Sequence, residues 1–218
     1  MFDDRRDAGK KLARTLKNYK DKDALVLAIP KGGVEIGYQI AKYLQADFSV
    51  LVSRKLPFPD NPESGFGAVA EDGSVFIFQD MAFRLPERTV QNILNEQKRE
   101  IERRIAVLRR GDPLPELAGK TVILTDDGLA MGSTMRAAVF LCRKRNAAKI
   151  VVAVPVASGL VRRDFRSLVD DVIVLETPPI FRAVAQVYKN WHDVTDREAL
   201  EIMEKWKKKE ESQHESHH

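Results

Sequence analysis

Val122-Ile-Leu-Thr-Asp-Asp-Gly-Leu-Ala-Met-Gly-Ser-Thr134 is the stretch of the sequence that most constrains the fold. Its first four residues are apolar or β-branched, which predicts a short buried strand. Two adjacent carboxylates, Asp126 and Asp127, follow this strand, and the loop behind them contains glycines at positions 128 and 132. From Ser133 a helical pattern continues to about Lys144. The stretch therefore predicts a strand, a glycine-containing loop and a helix in succession.

This strand–loop–helix unit carries groups that suit a phosphorylated sugar. The two carboxylates can accept hydrogen bonds from neighbouring ribose hydroxyls, and the glycines allow the backbone to turn tightly beside an anion. The helix N-terminus and the hydroxyls of Ser133 and Thr134 can hold a terminal phosphate. An ordinary turn and helix cap would explain each feature alone, but not the second aspartate beside the first. We therefore interpret residues 126–134, the Asp-Asp loop, as a sugar-phosphate site.

Length and composition fit one domain with a core of ordinary size. The chain has 218 residues, 44% of them hydrophobic, and a formal net charge of +4. This charge suits an anionic ligand but does not by itself indicate nucleic acid, which we do not expect as a partner. The excess is local, because residues 84–110 contain eight Arg or Lys and four Glu.

The cysteine content and the apolar runs bear on the compartment. The single cysteine, Cys142, cannot form an internal disulfide, which fits a reducing environment. The charged first residues lack the apolar core of a signal peptide, and the longest apolar runs fall well short of the ~20 residues that cross a bilayer. We expect a cytoplasmic protein that does not bind membranes.

Strands and helices alternate along the chain, which predicts an α/β fold with a parallel sheet. A helix is expected over about 5–19, and the first two strands over 24–29 and 47–53, with a helix to about Leu44 between them. Residues 54–66 are interpreted as a proline-rich loop, followed by a hairpin that turns at 71–73. A long helix is expected over about 86–110, strands over 149–154 and 171–175, and a helix from about Ser158.

Pro30-Lys-Gly-Gly33, the Lys-Gly-Gly loop, is a second candidate binding loop between a strand and a helix. Its glycines expose backbone amides and Lys31 adds a positive charge, so the loop can hold a small anion. Ligands of parallel sheets bind at the carboxyl ends of the strands, where both this loop and the Asp-Asp loop begin. A third candidate is the pair Arg54 and Lys55, at the end of the second predicted strand.

The Asp-Asp loop and its strand resemble the ribose-5-phosphate signature of type I phosphoribosyltransferases. In that signature, apolar strand residues precede two acidic residues and a small-residue loop that ends in Gly-x-Ser/Thr. The resemblance covers about residues 24–175 and includes the order of the two loops. It implies a Rossmann-like parallel sheet flanked by helices, with a small C-terminal hood at about 176–207 and an inserted long helix, all within one domain spanning 1–207.

The resemblance also implies a reaction and a role for each candidate residue. The 5-phosphoribosyl group of phosphoribosyl pyrophosphate (PRPP) would pass to a nucleobase or another nitrogen nucleophile, with release of pyrophosphate. Mg²⁺ would be held mainly by PRPP, with no direct protein ligand expected. Asp126, Asp127, Arg54 and Lys55 would be catalytic. The ribose 5-phosphate would contact Asp126, Asp127, Gly128, Leu129, Ala130, Met131, Gly132, Ser133 and Thr134, and the pyrophosphate would contact Lys31, Gly32, Gly33, Arg54 and Lys55.

Two positions depart from the family pattern. Ala130 stands where enzymes for 6-oxopurines carry an aspartate, which argues against hypoxanthine or guanine as the acceptor. Met131 stands where many members carry a threonine that touches the 5′-phosphate. The acceptor stays open, and the alternative is a non-catalytic PRPP- or nucleotide-binding regulator with the same fold. The presence of Lys31, Arg54 and Lys55 favours an enzyme.

The remaining segments carry weaker signals. The aromatic residues Phe181, Tyr188 and Trp191 of the expected hood are interpreted as packing rather than base-stacking groups. The basic side of the helix over 86–110 could line the site, bind a partner or be solvated, and we expect it to be solvated. Residues 208–218 are expected to form a disordered tail. By resemblance, the protein is expected to be a homodimer that acts in nucleotide metabolism on PRPP and a small-molecule acceptor.

Overall fold

The computed structural model describes residues 1–215, with side chains to residue 212, and is built around a parallel sheet of five strands. The strands lie in the order β2 (Asp47–Val50), β1 (Ala24–Ala28), β6 (Thr121–Thr125), β7 (Lys149–Val156) and β8 (Asp171–Glu176). Each neighbouring pair is parallel. The predicted α/β fold with a parallel sheet is therefore confirmed.

Helices cover both faces of this main sheet. The core on one face includes residues of α1 (Arg5–Thr15), α2 (Gly33–Leu44) and α7 (Asp196–Glu215), whereas the opposite core includes α5 (Ser133–Lys144) and α6 (Gly159–Arg166). Successive residues of β1 alternate between the two cores, Val26 entering the first and Leu27 the second. Because both faces are covered, β1 is buried throughout and its sequence is apolar without interruption. The predicted first helix ends earlier than expected and is followed by a 3-10 turn at Lys17–Tyr19.

A second, antiparallel sheet follows the first two strands. Its order is β3 (Ser53–Phe58), β4 (Asn61–Ala70) and β5 (Val75–Ile77). The loop predicted over 54–66 is therefore wrong: Pro57 lies on an edge strand at a register shift, where a missing N–H is tolerated, and Pro59 falls in the turn. The hairpin predicted to turn at 71–73 is confirmed, since β4 and β5 pair on either side of it.

Two helices, α3 (Gln79–Ala82) and α4 (Glu87–Arg109), complete an inserted unit that we define as residues 53–109. The predicted long helix is confirmed, and its apolar residues Leu94 and Ile101 join Leu56 and Phe66 in a third core. Other residues of the inserted unit join the cores of the main sheet, Leu108 on one face and Ala68 and Ala70 on the other.

The basic side of α4 is only partly solvated, contrary to the prediction, because Arg104 and Arg109 are buried. Arg109 forms an ion pair with Glu71 at 2.7 Å and donates a hydrogen bond to the Val50 carbonyl at 3.1 Å. These contacts fasten the C-terminal end of α4 to the last residue of β2. Buried arginines therefore join the inserted unit to the main sheet.

The chain after β8 divides into two parts. Residues 177–195 form an irregular segment with a 3-10 turn at Val184–Val187, and the long helix α7 follows. Trp206 of α7 packs edge-on against Tyr38 and Phe48, with ring centroids 6.0 and 5.4 Å away. The predicted disordered tail is wrong for residues 208–215, which continue α7, while residues 216–218 lie outside the described residues.

Among residues 1–215, no helix is both long and apolar enough to cross a membrane.

Candidate functional site

The candidate site lies at the carboxyl edge of the main sheet, where the strand order reverses. β1 has β2 on one side and β6 on the other, so the loops that leave β1 and β6 meet at this edge. These are the Lys-Gly-Gly loop and the Asp-Asp loop. Open α/β sheets bind their ligands at such a switch point.

The two loops touch at Gly32 and Asp127. A Cβ atom added at Gly32 would lie 2.0 Å from Asp127 Oδ2, and one at Gly33 would lie 2.9 Å from the Thr125 carbonyl oxygen. Since neither glycine has a positive φ, close approach rather than backbone freedom explains both glycines. The carboxyl pair is therefore packed directly against the backbone of the Lys-Gly-Gly loop.

Hydrogen bonds fix one oxygen of each carboxyl. Asp126 Oδ1 accepts the Asp127 amide at 2.8 Å, and Asp127 Oδ2 accepts Nε of Arg5 at 2.9 Å. The Tyr188 hydroxyl donates to the backbone carbonyl of Asp127 at 2.7 Å. The Asp127 side chain is 15% exposed, so only a small part of its surface is open to solvent.

The environment raises the pKa of both carboxyls. Burial is the main cause at Asp126, and the neighbouring charge of Asp127 adds to it. Burial also raises the pKa of Asp127, although the Arg5 guanidinium counteracts part of that rise. The two groups are close enough to titrate together, so a ligand that needs both ionised should bind better at higher pH.

The rest of the Asp-Asp loop leads into the N-terminus of α5. Gly128 is packed against Val156 and Val184, and the Leu129 amide donates to the Val156 carbonyl at 2.8 Å. Gly132 has a φ of +74°, which suits glycine, and no side chain caps the helix that follows. The uncapped amides at Ser133 and Thr134 can therefore bind an anion.

The residues of the Asp-Asp loop differ in their burial and in whether their amides are already bonded. The Leu129 side chain is buried and its amide is already bonded, so Leu129 supports the loop rather than offering a donor. Ala130 is exposed, and Met131 is 42% exposed. The bulk of Met131 is therefore accommodated at the surface of the loop.

The inserted unit supports the Lys-Gly-Gly loop from outside. Arg104 of α4 donates to the Pro30 carbonyl at 3.4 Å, and Lys31 Nζ lies 3.7 Å from Asp196 Oδ1. Arg103 pairs with the same Asp196 at 2.8 Å. The peptide between Pro30 and Lys31 is cis. Helices α4 and α7 thus meet around this loop, which the sequence alone did not indicate.

Arg54 and Lys55 lie side by side on β3 but make different contacts. Arg54 Nε donates to Gln97 of α4 at 3.0 Å, and its pKa is lowered first by burial and then by Arg104. Lys55 Nζ donates to the Glu63 carbonyl at 2.6 Å, and burial lowers its pKa. Their contacts lie within the inserted unit, not at the carboxyl pair, so their roles at a pyrophosphate stay predictions.

β3 is nevertheless joined to the Asp-Asp loop. The Ser53 hydroxyl donates to the Thr134 carbonyl at 2.9 Å, in the first turn of α5. This bond connects the base of the β3–β4 hairpin to the predicted phosphate site. Helix α5 also packs directly against β3, β4 and β5, so the hairpin and α5 are joined by more than this bond.

Sequence reasoning missed Arg5 and the contribution of Tyr188 to the Asp-Asp loop. Arg5 stands in a charged segment that resembles a solvated helix start, yet it is 7% exposed. Its partner Asp127 is 122 positions away, so periodicity and spacing carry no signal for the contact. The prediction that Tyr188 is a packing residue agrees with its burial, but its hydroxyl also holds the backbone of the candidate site.

Comparison with known proteins places this architecture in a family. The model of the phosphoribosyl transferase domain matches residues 3–188. The crystal structure of TT1426 from Thermus thermophilus is 32% identical and superposes with a TM-score of 0.79, covering 94% of this chain and 99% of that one. The chain belongs to the phosphoribosyltransferase family, and its fold is the type I fold.

Two Mycobacterium tuberculosis proteins, MT0597 and Rv0571c, are also similar to the chain. Both bear the name "Putative phosphoribosyl transferase" and are 38% identical over 208 residues, which is 94% of this chain. The match covers 47% of each relative, so the chain spans about half the length of these curated proteins.

Proposed function

We propose that the protein transfers the 5-phosphoribosyl group of PRPP to a nitrogen nucleophile and releases pyrophosphate. The observation that carries this proposal is the contact between Gly32 and Asp127. It joins a loop suited to a pyrophosphate with a loop suited to a ribose 5-phosphate. Cytoplasmic location and a homodimer stay predictions.

The bound oxygens of the carboxyl pair define how the ribose would be held. Asp126 Oδ1 and Asp127 Oδ2 are already bonded within the protein. The second oxygen of each carboxyl is the acceptor that we assign to the 2′- and 3′-hydroxyls. The amides at the start of α5, with Ser133 and Thr134, would hold the 5′-phosphate and so fix the sugar for reaction.

The charges of the site suit the transfer itself. As the bond between C1 and the pyrophosphate oxygen breaks, that oxygen keeps the electron pair and positive charge develops on the ribose. The new C1–nitrogen bond forms as the acceptor loses a proton. Asp126 and Asp127 would stabilise the positive sugar, while Lys31 and the Gly32 amide would stabilise the leaving pyrophosphate. The Gly33 amide already donates to the Ile29 carbonyl at 3.1 Å, so it would have to exchange that bond to take part. Arg54 and Lys55 would add positive charge if the hairpin approached.

Mg²⁺ fits this arrangement as a companion of the substrate. No group of three or more His, Cys, Asp or Glu suited to a metal occurs in the described part of the chain. The carboxylate oxygens of Asp126 and Asp127 are the type that Mg²⁺ accepts, and Mg²⁺ commonly uses one or two carboxylates with substrate phosphates and water. When bound with PRPP, it would neutralise part of the pyrophosphate charge.

The donor site is tested by calorimetric titration of Mg²⁺–PRPP into the wild type and Asp127→Asn. We expect binding to the wild type and a loss of roughly 100-fold in the variant, because the amide cannot replace the charge. Asp112→Asn is the matched control, since Asp112 is exposed beyond the end of α4. Equal affinity in Asp127→Asn would refute the assignment of the carboxyl pair.

A second measurement separates enzyme from regulator. Wild-type protein with Mg²⁺–PRPP is screened against nucleobases and other nitrogen nucleophiles for release of pyrophosphate. Release that depends on one acceptor supports the transferase. PRPP binding without release for any acceptor class would favour the non-catalytic regulator instead.

A further inference from the structure

Arg5 is a buried cation at a point where three distant segments of the chain meet. It lies in the first turn of α1, and its side chain is 8% exposed. The three segments are the start of α1, the Asp-Asp loop and the C-terminal segment 187–192. A buried arginine needs partners on several sides, because its charge has been removed from water.

On one side, Arg5 holds a single oxygen of Asp127. Nε and Nη2 both lie 2.9 Å from Asp127 Oδ2, the same oxygen that stands against Gly32. Two donors on one oxygen fix the rotation of the carboxyl about its bond to the chain. Asp127 Oδ1 is then directed away from Arg5.

On the other side, the C-terminal segment fixes the guanidinium. Nη1 of Arg5 donates to the His192 carbonyl at 2.9 Å, and the guanidinium lies 4.0 Å from the centre of the Trp191 ring. Trp191 in turn packs against Tyr188, with ring centroids 5.2 Å apart. Arg5 is therefore held in place before any ligand arrives.

We infer that Arg5 is the positioning residue that orients Asp127 and keeps it ionised, so that Oδ1 can accept a ribose hydroxyl. This inference rests on the proposed PRPP site. Arg5 would act through Asp127 and would not touch PRPP itself. A lysine could keep the charge but could not reproduce the two-donor geometry.

The charges around Asp127 support this role. Asp126 and the buried Tyr188 face it, and burial raises its pKa, whereas Arg5 is the cation that lowers it. Without Arg5, the pKa of Asp127 would rise further, so a larger fraction of the carboxyl would be protonated at a given pH. A protonated carboxyl has lost acceptor capacity and charge, so PRPP affinity should fall and recover as the pH is raised.

The test compares Arg5→Met, Arg5→Lys and Arg6→Met by calorimetric titration with Mg²⁺–PRPP between pH 6 and 9. Arg6 is the matched control, because it is exposed in the same turn of α1. We expect Arg5→Met to weaken binding by roughly 10- to 100-fold at pH 7, with partial recovery at pH 9. The affinity of Arg5→Lys for PRPP should fall less, with a pH profile closer to that of the wild type. The affinity of Arg6→Met should match that of the wild type.

A second measurement does not need PRPP. The carboxyl carbon of Asp127 is followed by NMR against pH in the free wild type and in the variants. We expect the Asp127 pKa to be higher in Arg5→Met than in the wild type and nearly unchanged in Arg6→Met. If Arg5→Met does not fold, Arg5→Lys provides the comparison. This variant must still alter the NMR signal of Asp127 and lower the affinity for PRPP.

The outcomes separate the two proposals. Failure of the wild type to bind PRPP would overturn the proposed function and the ribose role of Asp127 with it. Wild-type binding combined with an unchanged Asp127 pKa and unchanged affinity in the folded Arg5 variants would overturn the role of Arg5 alone. A lower affinity in Arg5→Met that does not depend on pH would likewise contradict control of ionisation by Arg5.

Discussion

The main sheet and the inserted unit contribute to the site in different ways. At the edge of the main sheet, the Asp-Asp loop brings two carboxyl groups and the uncapped amides of α5 next to the Lys-Gly-Gly loop. In the inserted unit, the charged groups are mostly paired with protein: Arg54 with Gln97, and Arg109 with Glu71. The main sheet therefore presents binding groups, whereas the inserted unit braces the loops that carry them.

This difference predicts that mutations in the two regions will affect different properties of the protein, ligand binding in one region and stability in the other. Substitutions at the sheet edge should alter ligand binding even where the fold survives. Substitutions of buried pairs in the inserted unit should alter stability and leave binding by the folded protein nearly unchanged. Three substitutions test this separation.

Gly32→Ala should have the largest effect on binding. Its Cβ would lie 2.0 Å from Asp127 Oδ2, so either the Lys-Gly-Gly loop or the carboxyl must move. We expect PRPP affinity to fall by roughly 100-fold and the free energy of unfolding to fall by about 2 kcal/mol. Titration calorimetry and urea unfolding measure the two effects. Gly159→Ala is the control, because its Cβ would meet Thr177 at an ordinary 3.8 Å.

Arg109→Met should mainly affect stability. The substitution leaves Glu71 buried without its cation, which should lower the free energy of unfolding by about 3 kcal/mol. Arg110→Met is the control, because Arg110 is exposed and pairs with Glu204 at the surface, so its loss should cost less than about 1 kcal/mol. Urea unfolding checks both. A large loss of PRPP affinity in folded Arg109→Met would contradict the separation of the two regions.

Asp126→Asn should have a smaller effect on stability than Arg109→Met, and it should raise stability rather than lower it. Burial and Asp127 raise the pKa of Asp126, so ionisation of Asp126 destabilises the folded state. This cost is absent at acid pH, where the group is protonated in both states, and is fully present once the pH exceeds the raised pKa. Removing the charge should therefore stabilise the protein by about 1 kcal/mol at pH 8 and less at pH 5.

Urea unfolding at the two pH values measures this gain, with Asp112→Asn as the control. The same variant should lose most of its PRPP affinity, since Asp126 is one of the two proposed ribose acceptors. A variant that is less stable than the wild type at pH 8 would show that the carboxyl pair is not under electrostatic strain.

The two regions also differ in how much of them the sequence predicts. The Asp-Asp loop was predictable because its strand, carboxylates, glycines and helix start are adjacent in sequence, and α5 begins and ends where expected. The prediction of a loop over 54–66 is wrong because proline usually interrupts a strand but is tolerated on an edge strand. Only the pairing of β3 with β4 shows that Pro57 lies on such an edge. Local signals describe the sheet edge better than the insertion.

Contacts between distant residues account for the other errors. Arg104 was expected to be solvated, but Pro30, 74 positions away, supplies its partner. Lys207 was the expected end of the ordered chain, yet the packing of Trp206 on Tyr38 and Phe48 anchors a helix that continues past it. Arg5 is a further residue whose partner lies far away in sequence. The contacts of these residues depend on tertiary packing, which composition and periodicity do not encode.

The contact between Phe2 and residues 187–189 has a consequence for the order of assembly during synthesis. Phe2 bonds to the backbone of Val187 and Lys189, and its ring packs on Tyr188. The strands of the main sheet, which end at Glu176, can therefore leave the ribosome before the carboxyl pair has its final surroundings. The candidate site is completed only after residue 192 has emerged and met a segment that precedes the first strand of the sheet. Until then, Arg5 and Asp127 lack the cover that holds them.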